Sequence, residues 1–265
     1  MPHIAALYRY PVKGFTPEAC NTLTVLDDGR IAGDRVLGIR FADTAAADEA
    51  WSRKTEMVAL MNTPGLARLH LTFEAEARRL RLSLASTVIV DVVLTEEGRQ
   101  RLATAVAEYV LTLAENPLAG HPERLPLRVI GDGLTPRYHD AEAGQVTLHG
   151  RGSLHALTAA LAHAEEGSER RFRSNIALEG LDAWEELRWV GRKVRIGTVT
   201  FDVIRPKVRC LATHANPTTG ERDVPILTTL TTVFGQEKPT FGVAMVPSQA
   251  GGHIHVGDHV TLVDW

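Results

Sequence analysis

Short alternating runs of apolar and polar residues, closed by glycine, proline or acidic turns, occupy most of this chain. Leu69, Leu71 and Phe73 alternate with His70 and Thr72, and Leu80, Leu82 and Leu84 alternate with Arg81 and Ser83. A period of two puts every second side chain on one face, so residues 66–73 and 80–84 predict half-buried strands. Shorter apolar or β-branched runs predict strands at 4–8, 23–26, 35–41, 88–94, 126–130, 146–149 and 175–179. Residues 194–196 and 199–204 predict a hairpin about Gly197-Thr198, and 241–246, 254–256 and 260–263 complete the set. Residues 43–48 are Ala-rich without a period and read as a loop.

The alternation stops at 96–115. There Leu102, Val106 and Val110 recur every fourth residue, with Arg99 and Glu108 on the other side, which predicts an amphipathic helix ended by Pro117. Residues 154–165 are helical by composition with Ser153 as N-cap, and 184–189 and 224–234 predict shorter helical pieces. The prolines of 116–126 mark a boundary between a first domain, 1–120, and a second, 121–265. Many short strands with few helices place the chain in the α+β class, β-rich, with a barrel or sandwich as its framework.

Composition narrows the partners. A net charge of −3 gives no electrostatic basis for non-specific nucleic-acid binding. No apolar run approaches the roughly 20 residues of a membrane span, and the first residues lack the order of a signal peptide, so a cytoplasmic protein without a membrane partner is expected. Two cysteines, Cys20 and Cys210, exclude a disulfide scaffold. They also fall short of the roughly four thiolates an iron–sulfur cluster needs. Any electrons used here must come from another protein.

The chemistry concentrates at 204–220. A β-branched run, 199–204, leads through Pro206 to Cys210, and Asn216-Pro217-Thr218-Thr219-Gly220 follows as a turn. Arg205, Lys207 and Arg209 put positive charge beside Cys210 in sequence, which favours thiolate over thiol. Such a cysteine is a nucleophile, a soft-metal ligand or a small buried hydrophobe. His214, four residues on, is a candidate to face a substrate. Lys13, Arg35, Arg173 and Asn175 each stand at the end of a predicted element, where polar side chains reach a shared pocket. The remaining histidines show no His-Glu-x-x-His spacing, and no P-loop or dinucleotide fingerprint is present.

Arg209-Cys210, Thr213 and Asn216-Pro217-Thr218-Thr219-Gly220 resemble the cysteine loop of MOSC-domain proteins, Cys-x-Arg-Cys-x-x-Thr-Thr-x-Asp-Pro-x-Thr-Gly. Lys207 stands at the place of the first cysteine, His214 at that of the second threonine and Asn216 at that of the aspartate. Pro11-Val12-Lys13-Gly14, Gly33-Asp34-Arg35 and Arg173-x-Asn175 match three further places in that family and its N-terminal β-barrel partner domain. The resemblance implies a MOSC β-barrel domain packed with an N-terminal barrel-like domain. It implies the pterin-based molybdenum cofactor (Mo-molybdopterin), with Cys210 as metal ligand. Lys13, Arg35, Ser153, Arg173, Asn175, Arg209 and Thr213 would then hold the pterin and its phosphate. The chain is similar to the mitochondrial amidoxime-reducing component and its bacterial counterparts. That likeness implies reduction of N-hydroxylated small molecules at Cys210, with a flavin, iron–sulfur or haem protein as electron donor; His214, by its nearness to Cys210 and not by the likeness, is the candidate to supply the proton. Sulfur transfer to the cofactor, or carriage of it without catalysis, are the alternatives.

Overall fold

The computed structural model describes residues 1–161 and 169–263. Its strands are β1 (His3–Arg9), β2 (Glu18–Cys20), β3 (Thr22–Val25), β4 (Gly38–Arg40), β5 (Leu69–Glu74), β6 (Arg79–Leu84), β7 (Thr87–Val93), β8 (Arg128–Ile130), β9 (Val146–Gly150), β10 (Ile176–Glu179), β11 (Lys193–Ile196), β12 (Val199–Val208), β13 (Thr240–Pro247), β14 (Gly252–His255) and β15 (Val260–Val263). The α-helices are α1 (Glu96–Leu111), α2 (Arg151–Ala160), α3 (Glu169–Phe172) and α4 (Ile226–Thr232). Strands hold 33% of the chain and helices 22%, so the fold is α+β and β-rich.

The alternating segments fold as their period dictates. β5, β6 and β7 form an antiparallel meander. Leu69, Leu71, Phe73, Leu80, Leu82, Val90 and Val92 turn inward, in one core with Leu102, Val106 and Val110 of α1. Thr95 caps α1 by accepting the Gly98 N–H at 3.1 Å. The helix ends at Leu111, well short of Pro117, because Thr112 folds its hydroxyl and its N–H back onto the Tyr109 carbonyl.

Eight strands make the large sheet, in the order β15-β11-β12-β13-β9-β10-β1-β2. β1 pairs antiparallel with β10, and β10 runs parallel to β9. β3 pairs with β14 and β4 with β8. An isolated bridge, His3 to His259, links the ends of the β1 and β15 segments, but no ladder continues it. Among the described residues no closed barrel forms, which corrects the barrel expected for each half.

Two main cores result, and they do not divide at residue 120. One joins Val12 and Phe15 to residues 36–129. The other joins Ile4, Leu7, Leu23, Val25 and Ile31 to residues 146–260. The chain thus starts in the large sheet, leaves to build the 36–129 core, and returns. Long-range pairing decides this, and a period of two in one segment carries no information about its partner.

Smaller differences have local causes. The strand expected at 35–41 is shortened to β4 because Arg35 takes φ +54, which no strand admits. β2 escapes pattern reading at three residues. β12 runs on through Pro206 to Val208, and its ladder with β13 slips between Val203 and Arg205 and again between Pro206 and Val208. A bulge is where a strand tolerates a residue without an N–H. α2 begins at Arg151 with Gly150 as its N-cap, so Ser153 lies inside the helix; of the predicted 154–165, residues 162–165 lie outside the described residues. No helix among the described residues is long and apolar enough to cross a membrane.

Candidate functional site

A cleft of about 800 Å³, its solvent mouth included, opens where the two cores meet. Lys13 and Gly14 enter from the bend after β1, Arg35 from the turn before β4, and Lys54 from a 3₁₀ turn at Lys54–Glu56. His139 and Asp140 come from the segment before β9, Arg171 and Arg173 from the end of α3 and just beyond it, and Lys207 to Cys210 from the end of β12. Gly14 has φ +87, and a Cβ there would lie 2.8 Å from the Ala59 Cα, so only glycine lets this bend close on the opposite wall.

Cys210 lines the cleft at the start of a 3₁₀ turn, Leu211–His214. Its carbonyl accepts both the N–H and the hydroxyl of Thr213, each at 3.0 Å, which pins the turn. Arg209 bonds the Phe241 carbonyl through Nε (2.8 Å) and Nη2, and the Phe172 carbonyl through Nη1 (2.7 Å). The Phe172 and Phe241 rings stack at 3.7 Å beneath it. Arg209 therefore ties the base of the cysteine loop to β13 and α3. Burial pushes its guanidinium down to about 10, still a cation at neutral pH.

Arg35 and Arg173 share one platform. Their guanidinium carbons lie 4.9 and 4.3 Å from the centre of the buried Tyr10 ring, whose π face attracts cations. Both arginines have left-handed backbones, φ +54 and +51. Such residues cost of order 1–3 kcal/mol each and persist where the surroundings over-determine them. Buried Asp34 supplies part of that constraint. It accepts the Tyr10 N–H (2.7 Å) and an Arg35 N–H, and His139 Nε2 lies 3.2 Å away. Burial would raise the Asp34 carboxyl, but the Arg35 charge and these contacts hold it well below the carboxylate range. Arg173 gives one N–H to the Phe15 carbonyl, while its buried Nη2 has no hydrogen-bond partner among the described residues. Burial pushes Arg173 down to about 10.

Asp140 is the carboxylate on the cleft wall. Lys13 bonds it directly, and Lys207 Nζ stands 4.0 Å away. The Asp140 side chain stays 46% exposed, so the neighbouring lysine charges, overriding burial, hold it far below its usual value. Burial pushes Lys207 down to about 7 and lowers Lys13 as well. Lys13, Arg35, Lys54, Arg171, Arg173, Lys207 and Arg209 face the cleft against this one carboxylate. Asp34 offsets Arg35 and Asp223 offsets Arg171, leaving a strong positive excess. An anionic ligand is what such a field selects.

Of the residues singled out from the sequence, Lys13, Arg35, Arg173, Arg209, Cys210 and Thr213 line the cleft. Three do not. Ser153 is buried within α2, donating to Glu186 Oε2 and accepting the Trp184 N–H, both at 2.8 Å. Asn175 is consumed by Thr147, whose N–H and hydroxyl it accepts at 3.2 and 3.1 Å, and by the Tyr8 carbonyl. His214 turns its Nε2 to the Leu227 N–H (3.2 Å) at the start of α4. Arg205 does not line the cleft itself but donates to Gln145, which does, at 2.6 Å. Sequence reasoning missed Lys54, His139, Asp140 and Arg171; His139-Asp140, a polar pair just before a predicted strand, carried the signal that marks Lys13 and Arg35. His163 lies outside the described residues. Among the described residues no three His, Cys, Asp or Glu side chains converge, so a metal here must bring ligands of its own.

Residues 135–261 match the MOSC domain family. The crystal structure of YiiM from Geobacillus stearothermophilus aligns at 18% identity and a TM-score of 0.33, over 45% of this chain and 54% of that one, about half its length. The crystal structure of the YuaD protein from Bacillus subtilis aligns at 10% identity and a TM-score of 0.39, over 98% of this chain and 94% of that one. Likeness at these scores carries no argument about function. MOSC domains are associated with molybdenum-cofactor binding. Cys210, Arg171, Arg173, Lys207 and Arg209 of the cleft lie within the stretch 135–261 that matches the MOSC domain family.

Proposed function

We propose that the cleft binds the pterin-based molybdenum cofactor and that the protein reduces N-hydroxylated compounds with electrons from a separate donor protein. The observation that carries this is a single thiol, Cys210, facing a cleft whose cations far outnumber its carboxylates. The residues fit the group. A pterin phosphate is a dianion, and Arg35 and Arg173 offer it planar forks where Lys13 offers a point charge. The orphaned Nη2 of Arg173 is a donor still waiting for an acceptor. A thiolate from Cys210 suits a soft, sulfur-rich metal.

When bound, the cofactor supplies two-electron oxygen-atom chemistry. The protein's own residues do the rest. Thr213 and Arg209 fix the loop that presents the thiol. Tyr10 and Asp34 hold the two arginines in place before any ligand arrives. The positive cleft favours a substrate oxygen that gains negative charge as its bond to nitrogen weakens. The test supplies full-length protein from a cofactor-producing host with dithionite-reduced viologen and a panel of N-hydroxylated amidines and bases, sulfoxides and N-oxides. Viologen oxidation with the N-hydroxylated members is expected. Molybdenum-replete protein inert toward the whole panel would point to carriage of the cofactor instead.

A further inference from the structure

We propose that Lys207, on the cleft wall opposite the bulge in β13 and set beside the carboxylate that Lys13 already holds, donates the proton that lets the substrate oxygen depart as water. The inference rests on the reductase reading above. Its first support is the backbone. β12 and β13 pair at Pro206–Val243 and again at Val208–Thr240, so Lys207 alone faces two residues of β13, Phe241 and Gly242 (φ +72), and the bulge lies directly opposite it. Side chains alternate along a strand, and here Pro206 and Val208 stay exposed while the Lys207 side chain, between them, is 12% exposed on the cleft wall.

The second support is the pairing. Asp140 is bonded to Lys13, and Lys207 Nζ stands 4.0 Å from its other oxygen, beyond hydrogen-bond range. Among the described residues Lys207 thus holds its proton with no close acceptor. The other charges acting on it are cations: Arg209 and Arg205 on its own segment and Arg35 across the cleft, with Lys13 sharing its carboxylate. They and burial make it a far stronger acid than a surface lysine, which suits proton transfer near neutral pH. His214, the sequence's candidate for this role, faces α4 instead.

The step balances. Two electrons from the donor enter and the N–O bond breaks. The oxygen takes the Lys207 proton and leaves as water; the nitrogen takes a proton from solvent. The neutral amine regains its proton through the open mouth of the cleft.

Two measurements decide this. In full-length protein made without cofactor, acetylation by acetic anhydride is followed against pH by mass spectrometry. Lys207 should reach half its maximal rate near pH 7, and lower still in Asp140→Asn, against the value near 10 of an ordinary lysine. In cofactor-loaded protein, Lys207→Met and Lys207→Arg should keep their molybdenum and lose turnover of N-hydroxybenzamidine by about 100-fold. Arginine keeps the charge but does not release a proton at working pH. Wild-type turnover in Lys207→Arg, or a Lys207 midpoint near 10 in an active enzyme, would overturn the donor role and leave the reductase reading standing. Loaded wild type inert toward every N-hydroxylated compound would overturn both.

Discussion

Asn216 shows how a departure from the family loop is absorbed by one neighbour. Its Oδ1 accepts the N–H groups of Thr218 and Thr219, and an aspartate would do the same. Its Nδ2, however, donates to Asp223 Oδ2 at 2.5 Å. Asp223 in turn receives the Arg171 fork at 2.8 Å on both oxygens. Asn216→Asp would set two carboxylates against each other at the foot of the cysteine loop. A loss of about 1–2 kcal/mol is expected in urea unfolding, part-screened by solvent and largely restored by adding Asp223→Asn. Equal stability of wild type and Asn216→Asp would show that Asp223 is not the reason for asparagine. Cys210→Ser should leave the circular dichroism spectrum unchanged and strip molybdenum from the purified protein. The site was partly legible at this scale: Lys13, Arg35, Arg173 and Cys210 stand at element ends, and the cleft is where those ends meet. Ser153, Asn175 and His214 were not, because Glu186, Thr147 and Leu227, which engage them, are named by no local pattern.

Elements follow the same rule. Alternation located β5 and β6 within a few residues, since each buries one face and exposes the other, and an apolar run located β7. The threonine-rich α4 is different. Its seven residues have weak helix propensity, and Thr229, Thr231 and Thr232 turn their hydroxyls back onto carbonyls three or four residues earlier. His214 compensates from outside by accepting the Leu227 N–H. Burial, then the nearby Arg222 and Arg171 charges, lower its pKa and keep the ring neutral, the form in which Nε2 accepts. His214→Ala should therefore cost about 1 kcal/mol, as loss of a helix cap does, and leave turnover by loaded protein within a few-fold of wild type. A collapse of turnover with unchanged stability would return His214 to the chemistry.

At the scale of the whole molecule, Glu169 joins α3 to the large sheet. Tyr8 of β1 donates to it at 2.6 Å, Arg151 of α2 forks onto it at 3.1 and 3.2 Å, and His149 of β9 lies 3.8 Å away. Burial would raise its carboxyl, but His149, Arg151 and Tyr8 hold it at about 2. A carboxyl lowered on folding contributes stability above its unfolded pKa, and that stability is lost as pH falls toward the folded value. Between about pH 4.5 and 2 the protein should lose roughly 2–3 kcal/mol from this group, and Glu169→Gln should flatten that part of the urea-stability profile against pH. An unflattened profile would mean that other carboxylates govern acid unfolding. The route of the chain between the two cores has a consequence for synthesis. β1 leaves the ribosome first, yet Leu7 pairs with Ile176 and His3 with Glu179. At 5–20 residues per second it waits roughly ten to thirty seconds for its neighbour. Meanwhile the intervening 36–129 segment has all but a few of its own contacts in hand. The nascent chain thus carries an open strand edge tethered to the 36–129 core, and the cleft between the cores waits until Cys210 and Thr213 have been made.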